Sequence, residues 1–189
     1  MAAGNGQKRQ VIAGLVIAAL MLGCAGVAMN NVLAWTGFTQ LSDTYQTVEQ
    51  AFYSSSLGWE ILSLGIITPI AEEVLYRYIV FYKLRSWQGR TTAIIGMALI
   101  FGLIHMNLVQ TVYAFVLGLA LGVLMECYQD VRVAICGHIA ANILSLLRGE
   151  TGFLSWLQPG NDWFGPVTLG LLVTAGALAI WCVGKFKKE

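Results

Sequence analysis

Two adjacent carboxylates and a guanidinium, Glu72, Glu73 and Arg77, lie inside an apolar run from Leu57 to Val80, 24 residues long. At ~1.5 Å per residue a helix over that run is long enough to cross a bilayer. Each charge near the middle of such a helix costs about 2.5 to 3.5 kcal/mol on insertion scales, and a chain seldom carries that cost without a use. Helix geometry sorts the three. Glu73 and Arg77 are four residues apart and share a face, so they can neutralise one another, whereas Glu72 points about 100° away. A buried Glu73–Arg77 staple therefore leaves Glu72 unexplained.

Composition fixes the class around this run. The 189 residues are 57% hydrophobic and 11% charged, with a mean hydropathy of +0.69, whereas a soluble domain carries about 25% charged residues. The expectation is an all-α fold, a polytopic transmembrane helical bundle of about six spans with its site inside the membrane. No hydrophilic block is long enough for a second core, so residues 1–189 read as one transmembrane domain. A net charge of +1 argues against a nucleic-acid partner. Cys24, Cys127, Cys136 and Cys182 stand in apolar segments without Cys-x-x-Cys spacing, so they read as small core residues rather than disulfides or zinc ligands.

The spans follow from the hydrophobic runs: Val11 to Trp35, Leu57 to Val80, Thr92 to Leu108, Val112 to Tyr128, Val131 to Leu147, and Val167 to Gly184. Met21-Leu22-Gly23-Cys24 faintly resembles a lipoprotein cleavage box, but the apolar character continues to Trp35, which favours a retained helix. Thr44 to Phe52 reads as a short surface helix capped by Asp43. Spans three to five are short, about 17 residues each, at the lower edge of what a bilayer needs. Gly118-x-x-x-Gly122 in the fourth permits close approach of a neighbour. Phe153, Trp156, Trp163 and Phe164 read as an interfacial aromatic belt. With six spans and an inner N-terminus, the inner segments hold Lys8, Arg9, Lys83, Arg85, Arg90, Arg132, Lys185, Lys187 and Lys188, and the outer ones only Arg148. This asymmetry places both termini in the cytoplasm.

Both histidines of the chain fall in these spans. His105 follows Phe101 by four residues, so the two rings share a face; His138 precedes Asn142 by four, so those side chains point the same way. Counted inward from the cytoplasmic helix ends at ~1.5 Å per residue, Glu72, His105, His138 and Asn142 can meet in one layer. A lone histidine on an apolar face is usually a satisfied core residue, but that account weakens beside Glu72. A carboxylate, two imidazoles and an amide suit hydrolysis: the desolvated carboxylate as general base, imidazole and amide as donors to an oxyanion. Glu72, His105 and His138 would equally suit zinc or another divalent metal with an open position for water. Spacing alone does not choose.

Glu72-Glu73-x-x-x-Arg77, Phe101-x-x-x-His105 and His138-x-x-x-Asn142, in that order, resemble the three motifs of the CAAX prenyl endopeptidase and bacteriocin-processing (CPBP, Abi) family of intramembrane proteases. The resemblance covers about residues 57–147, the motif-bearing protease core. It implies cleavage of peptide bonds inside the membrane, in a membrane-associated, prenylated or leader-type peptide. Carried over, Glu72 with His105 would activate water, Arg77 would orient Glu73, and His138 with Asn142 would hold the oxyanion. The family is often classed as metalloproteases, while a metal-free glutamate mechanism is also argued. Tyr76 stands where a Phe is common, which keeps the aromatic ring.

Rhomboid-like Gly-x-Ser-Gly, site-2-like His-Glu-x-x-His and aspartyl Gly-x-Gly-Asp patterns are absent from the sequence. A bis-histidine haem protein would leave Glu72, Glu73 and Arg77 without a role. A proton-coupled transporter fits poorly with six short spans and no repeat. The rival from another class is a non-catalytic bacteriocin self-immunity or scaffold protein. The expected setting is a bacterial plasma membrane, with the bilayer and a peptide or protein substrate as partners and the oligomeric state open.

Overall fold

A computed structural model describes residues 2–52 and 55–186, and every regular element in them is helical. Lys187 and Lys188 of the basic count lie outside the described residues. Helix α1 is Ala2–Trp35 and α2 is Asp43–Phe52. From Leu57 the chain alternates between two windings: α over Leu57–Glu60, π over Ile61–Ile67, α over Thr68–Glu73 and π over Val74–Phe81. It then continues as the α-helical segment Tyr82–Leu103, broken at Gly89, whose φ of 79° and ψ of 175° are not helical. We call the part before this break, 57–88, α3 and the part after it, 90–103, α4. Three helices follow: α5 at Leu108–Tyr128, α6 at Val131–Thr151 and α7 at Phe164–Gly184.

The Gly89 break is a reversal. Tyr76 and Phe101 are 25 residues apart, about 37 Å along a straight helix, yet their ring centroids are 5.8 Å apart. Only a glycine enters this positive-φ conformation without strain. Folding back lays α4 on α5 through the paired glycines: a Cβ on Gly118 would stand 3.0 Å from the Ala98 backbone, and one on Gly122 3.2 Å from the Ile94 side chain. On the opposite flank, Gly137 of α6 lets Ala18 of α1 approach, with the Ala18 carbonyl 3.1 Å from where a Cβ would be.

Among the described residues four helices are long and apolar enough to cross a membrane: α1, α5, α6 and α7. Helix α3 carries Glu60, Glu72, Glu73 and Arg77 along its length, and α4 is shortened by the Gly89 bend. Helices α5 and α6 are 21 residues each, longer than the sequence pattern suggests. Helix α5 starts early because the Asn107 side chain accepts from the Gln110 backbone N–H at 2.9 Å and caps the first turn. Helix α6 runs on to Gly152, whose left-handed φ of 68° ends it. At α2 the cap is Ser42 rather than Asp43, its hydroxyl accepting from the Tyr45 N–H at 3.2 Å. Of the four belt aromatics, Phe153, Trp156 and Trp163 are exposed, whereas Phe164 is buried.

Polar clamps hold both ends of the bundle. At the end bearing Gly89, Glu126 accepts from Arg85 Nε at 2.6 Å and Nη2 at 2.8 Å, and from Arg90 Nε at 3.0 Å. At the other end Arg148 donates to Asn31 Oδ1 at 2.5 Å and to the Leu157 carbonyl at 2.7 Å, while Asn31 Nδ2 donates to Thr168 Oγ1 at 2.7 Å. This joins α1, α6, α7 and the segment before α7. Glu60, a charge in the apolar run that the motif pattern does not explain, is buried and accepts from the Ser55 N–H at 3.1 Å.

Candidate active site

Spacing of four along α3 produces two adjoining stripes. Gly65, Pro69, Glu73, Arg77 and Phe81 are buried, whereas Leu64, Thr68 and Glu72 border a cavity of ≈ 260 Å³. The angular offset between neighbouring residues of a helix thus gives the two carboxylates different surroundings. The Glu73 side chain is fully enclosed and that of Glu72 is 22% exposed.

Glu73 meets two partners. Its Oε2 lies 3.3 Å from Arg77 Nε, the pairing that the i,i+4 spacing predicts, and its Oε1 lies 2.9 Å from His138 Nδ1, a contact the spacing does not reveal. A carboxylate only accepts, so Nδ1 of His138 carries the hydrogen and, in a neutral ring, Nε2 carries the lone pair. That Nε2 faces Glu72 Oε2 at 3.7 Å. His105 repeats the arrangement by other means. Its Nδ1 is 2.8 Å from the Phe101 carbonyl, again an acceptor only, which leaves Nε2 of the neutral ring without a proton.

Phe101 is the hub. Its ring makes edge contacts with His105 at 5.3 Å, His138 at 5.6 Å and Tyr76 at 5.8 Å, and the Arg77 guanidinium lies over it at 4.3 Å. One ring thus fixes both imidazoles and the arginine. His105 does not sit within a span as expected. Helix α4 ends at Leu103, Met106 takes a positive φ of 56° and Asn107 opens α5, so His105 belongs to the α4–α5 turn.

Asn142 is tied to α3, its Nδ2 donating to the Leu64 carbonyl at 2.9 Å. Leu64 lies in the π segment, where the Thr68 N–H reaches back five residues to Ser63. In that register the partner of the Leu64 carbonyl is residue 69, a proline without an N–H. Asn142 fills that vacancy with one amide hydrogen and keeps the other. Pro69 is the sequence signal that could have revealed this contact.

Glu72, His105, His138 and Asn142 all line the same cavity, joined by groups that the motifs omit, among them Thr68, Gln110 and Tyr113. Glu73 and Arg77 stand behind it. The donor set has metal-site chemistry, two imidazoles with Nδ1 engaged and Nε2 bare. Even so, among the described residues no three His, Cys, Asp or Glu side chains converge closely enough to hold an ion. Glu72, His105 and His138 do not fit a metal as they stand.

The structure thus defines an all-helical chain with four candidate membrane spans and a carboxylate–imidazole cluster gathered around a cavity. More narrowly, residues 54–144 match the sequence model of the type II CAAX prenyl endopeptidase Rce1-like family. The chain is also similar to two bacterial UPF0756 membrane proteins. That of Pectobacterium carotovorum is 31% identical over 121 residues, 64% of this chain and 79% of the relative. That of Pectobacterium atrosepticum is 30% identical over 121 residues, with the same coverage of 64% and 79%. No solved structure matches the chain.

Proposed function

We propose that this chain is an intramembrane endopeptidase of six spans, α1 and α3 to α7, with both termini cytoplasmic in a bacterial plasma membrane. The observation that carries the reading is Glu72 Oε2 facing His138 Nε2 at 3.7 Å on the wall of a cavity that His105 and Asn142 share. Glu72 is fifteen residues after Leu57 and seventeen before Gly89, about 22 and 25 Å along α3, which is a mid-bilayer depth.

In this mechanism Glu72, with His105 Nε2 as a second acceptor, takes a proton from water as the oxygen attacks the peptide carbonyl. The oxyanion accepts from the remaining Asn142 N–H and from His138 Nε2. To donate there, His138 must carry protons on both nitrogens, and Glu73 below it accepts from Nδ1 in either state. Arg77 holds Glu73 in place for that task. Collapse of the tetrahedral intermediate breaks the C–N bond, and the proton held by Glu72 passes to the leaving amine. The substrate class is a membrane-associated, prenylated or leader-type peptide.

The test is cleavage of labelled peptides by purified wild type, Glu72→Gln and His105→Ala at matched folded levels, with and without a chelator. Glu72→Gln keeps the shape and removes the base, so cleavage should fall about 10² to 10⁴-fold while folded yield holds. Equal cleavage by all three would end the assignment and favour the immunity or scaffold reading. Loss of wild-type activity to the chelator would restore a metal to the site.

A further inference from the structure

The cavity is a trough that runs toward one end of the bundle. It begins at Glu72 and His138 and continues along Leu64, Asn30, Leu33 and Ser145 to Tyr45 of α2. All five belong to the end where α1 finishes, α3 starts and α6 finishes; Asn30 Nδ2 donates to Ser145 Oγ there at 3.1 Å. From Glu72 to Leu64 is eight residues of α3, about 12 Å, the length of roughly three to four extended peptide residues at ~3.3 Å each.

The opposite direction is closed. Directly behind the site Arg77, Phe81, Phe101 and Met125 are each at most 1% exposed, a packed layer with no passage for a peptide. Beyond that layer stand Lys8, Arg9, Lys83, Arg85, Arg90, Arg132 and Lys185, basic residues at or near the described helix ends. Arg148 is at the open end but is bonded inward to Asn31 and Leu157. The positive-inside rule makes the closed end cytoplasmic. Among the described lining residues Glu72 is the one acidic side chain and no Lys or Arg appears; the rest are apolar or neutral hydrogen-bonding groups.

From these observations we infer that the substrate is an extended, uncharged, largely apolar peptide segment that enters from the extracytoplasmic face, over α2, and lies along the Leu64–Thr68–Glu72 stripe. The endopeptidase reading supplies the cleavage; the direction of entry rests on the trough and the plug alone.

Two measurements on bacterial membrane vesicles holding the full chain test it. The first uses an apolar fluorogenic peptide made membrane-impermeant by charged end tags placed well outside the cleaved stretch. Right-side-out vesicles should cleave it, and inside-out vesicles should do so only after detergent opens them. Cleavage by sealed inside-out vesicles overturns the inference, whereas no cleavage even in detergent removes the endopeptidase reading and leaves entry to the second measurement. That second measurement needs no activity: Thr68→Cys and Tyr45→Cys variants are exposed to an impermeant thiol reagent, with the parent chain and its four cysteines as baseline. Labelling above baseline is expected from the right-side-out face. Labelling from the inside-out face, or from neither, overturns the inference.

Discussion

Arg148 and Arg77 are both guanidiniums held among helices, yet they are held differently. Arg148 makes hydrogen bonds of 2.5 and 2.7 Å to two acceptors, and its partner Asn31 uses its own amide on Thr168. Arg77 is completely enclosed, lies over the Phe101 ring and touches Glu73 at 3.3 Å, but none of its three nitrogens has a partner in hydrogen-bond geometry among the described residues, and neither does Glu73 Oε2. Arg77 stands in the π segment Val74–Phe81, whose looser winding displaces it from the alignment that an i,i+4 pair has on an α-helix. Buried groups left short of partners are rare in folded proteins, and each asks for an explanation. The saturated network is a fastening. The unsaturated one holds His138 through Glu73 Oε1 and leaves buried polar atoms without partners beside a cavity, the pattern the proposed function would use.

The contrast can be broken most forcefully at Glu72, where Gln should cost the 10² to 10⁴-fold in cleavage given above and nothing in folded yield. Arg77→Ala comes next: it removes one partner of an enclosed ion pair, an event worth about 3 to 5 kcal/mol. Thermal unfolding in detergent should show the loss of stability, and the surviving folded fraction should cleave slowly because His138 loses its anchor. Wild-type stability and rate in this variant would make the buried pair dispensable. Arg148→Ala should cost about 1 to 3 kcal/mol, since it strands the Asn31 and Leu157 oxygens, but its folded fraction should keep wild-type kcat/KM. A fall in kcat/KM would erase the distinction between the two networks.

A smaller effect sharpens the role of Asn142. Asn142→Ala should lower stability by about 1 kcal/mol through the lost hydrogen bond to Leu64, and should lower kcat as one of two oxyanion donors is removed. Pro69→Ala restores an N–H at residue 69. In that background the stability cost of Asn142→Ala should shrink while the loss in kcat persists. If kcat recovers along with stability, Asn142 only braces α3. Smallest of all is Arg132→Ala, which removes an exposed contact with Asp130; unfolding and cleavage should both be unchanged.

The Glu73–Arg77 pair was legible because it needs only one helix, as was the shared face of Phe101 and His105. The Glu73–His138 bond was not, because it depends on the rotation of α6 against α3, and hydrophobic periodicity is too coarse to fix that angle. His105 was misplaced into a span because Leu103-Ile104-His105-Met106 is as apolar as the helix before it; the chain turns there through a left-handed methionine and an asparagine cap. The alternation of α and π winding in α3 left one trace in the sequence, Pro69, whereas the reversal that brings Phe101 back to Tyr76 was legible in the polar break between Val80 and Thr92, and the structure puts it at Gly89. Glu60 was passed over altogether: one of its oxygens accepts from the Ser55 backbone, a contact no side-chain pattern records, and the other is buried without a hydrogen-bond partner among the described residues.

The two π segments on either side of Thr68–Glu73 bear on how this chain can change in length. A π turn closes its ring five residues on, an α turn four, so each π segment contains a residue that an α-helix of the same height would do without. Deleting one residue from 61–67 lets that stretch wind as α and keeps 68–73 facing the same neighbours. Deleting one from 68–73 swings everything beyond it by about 100° and carries Arg77 away from Phe101. A lineage descended from this chain should therefore tolerate single-residue gaps on both sides of its acidic pair and none across it.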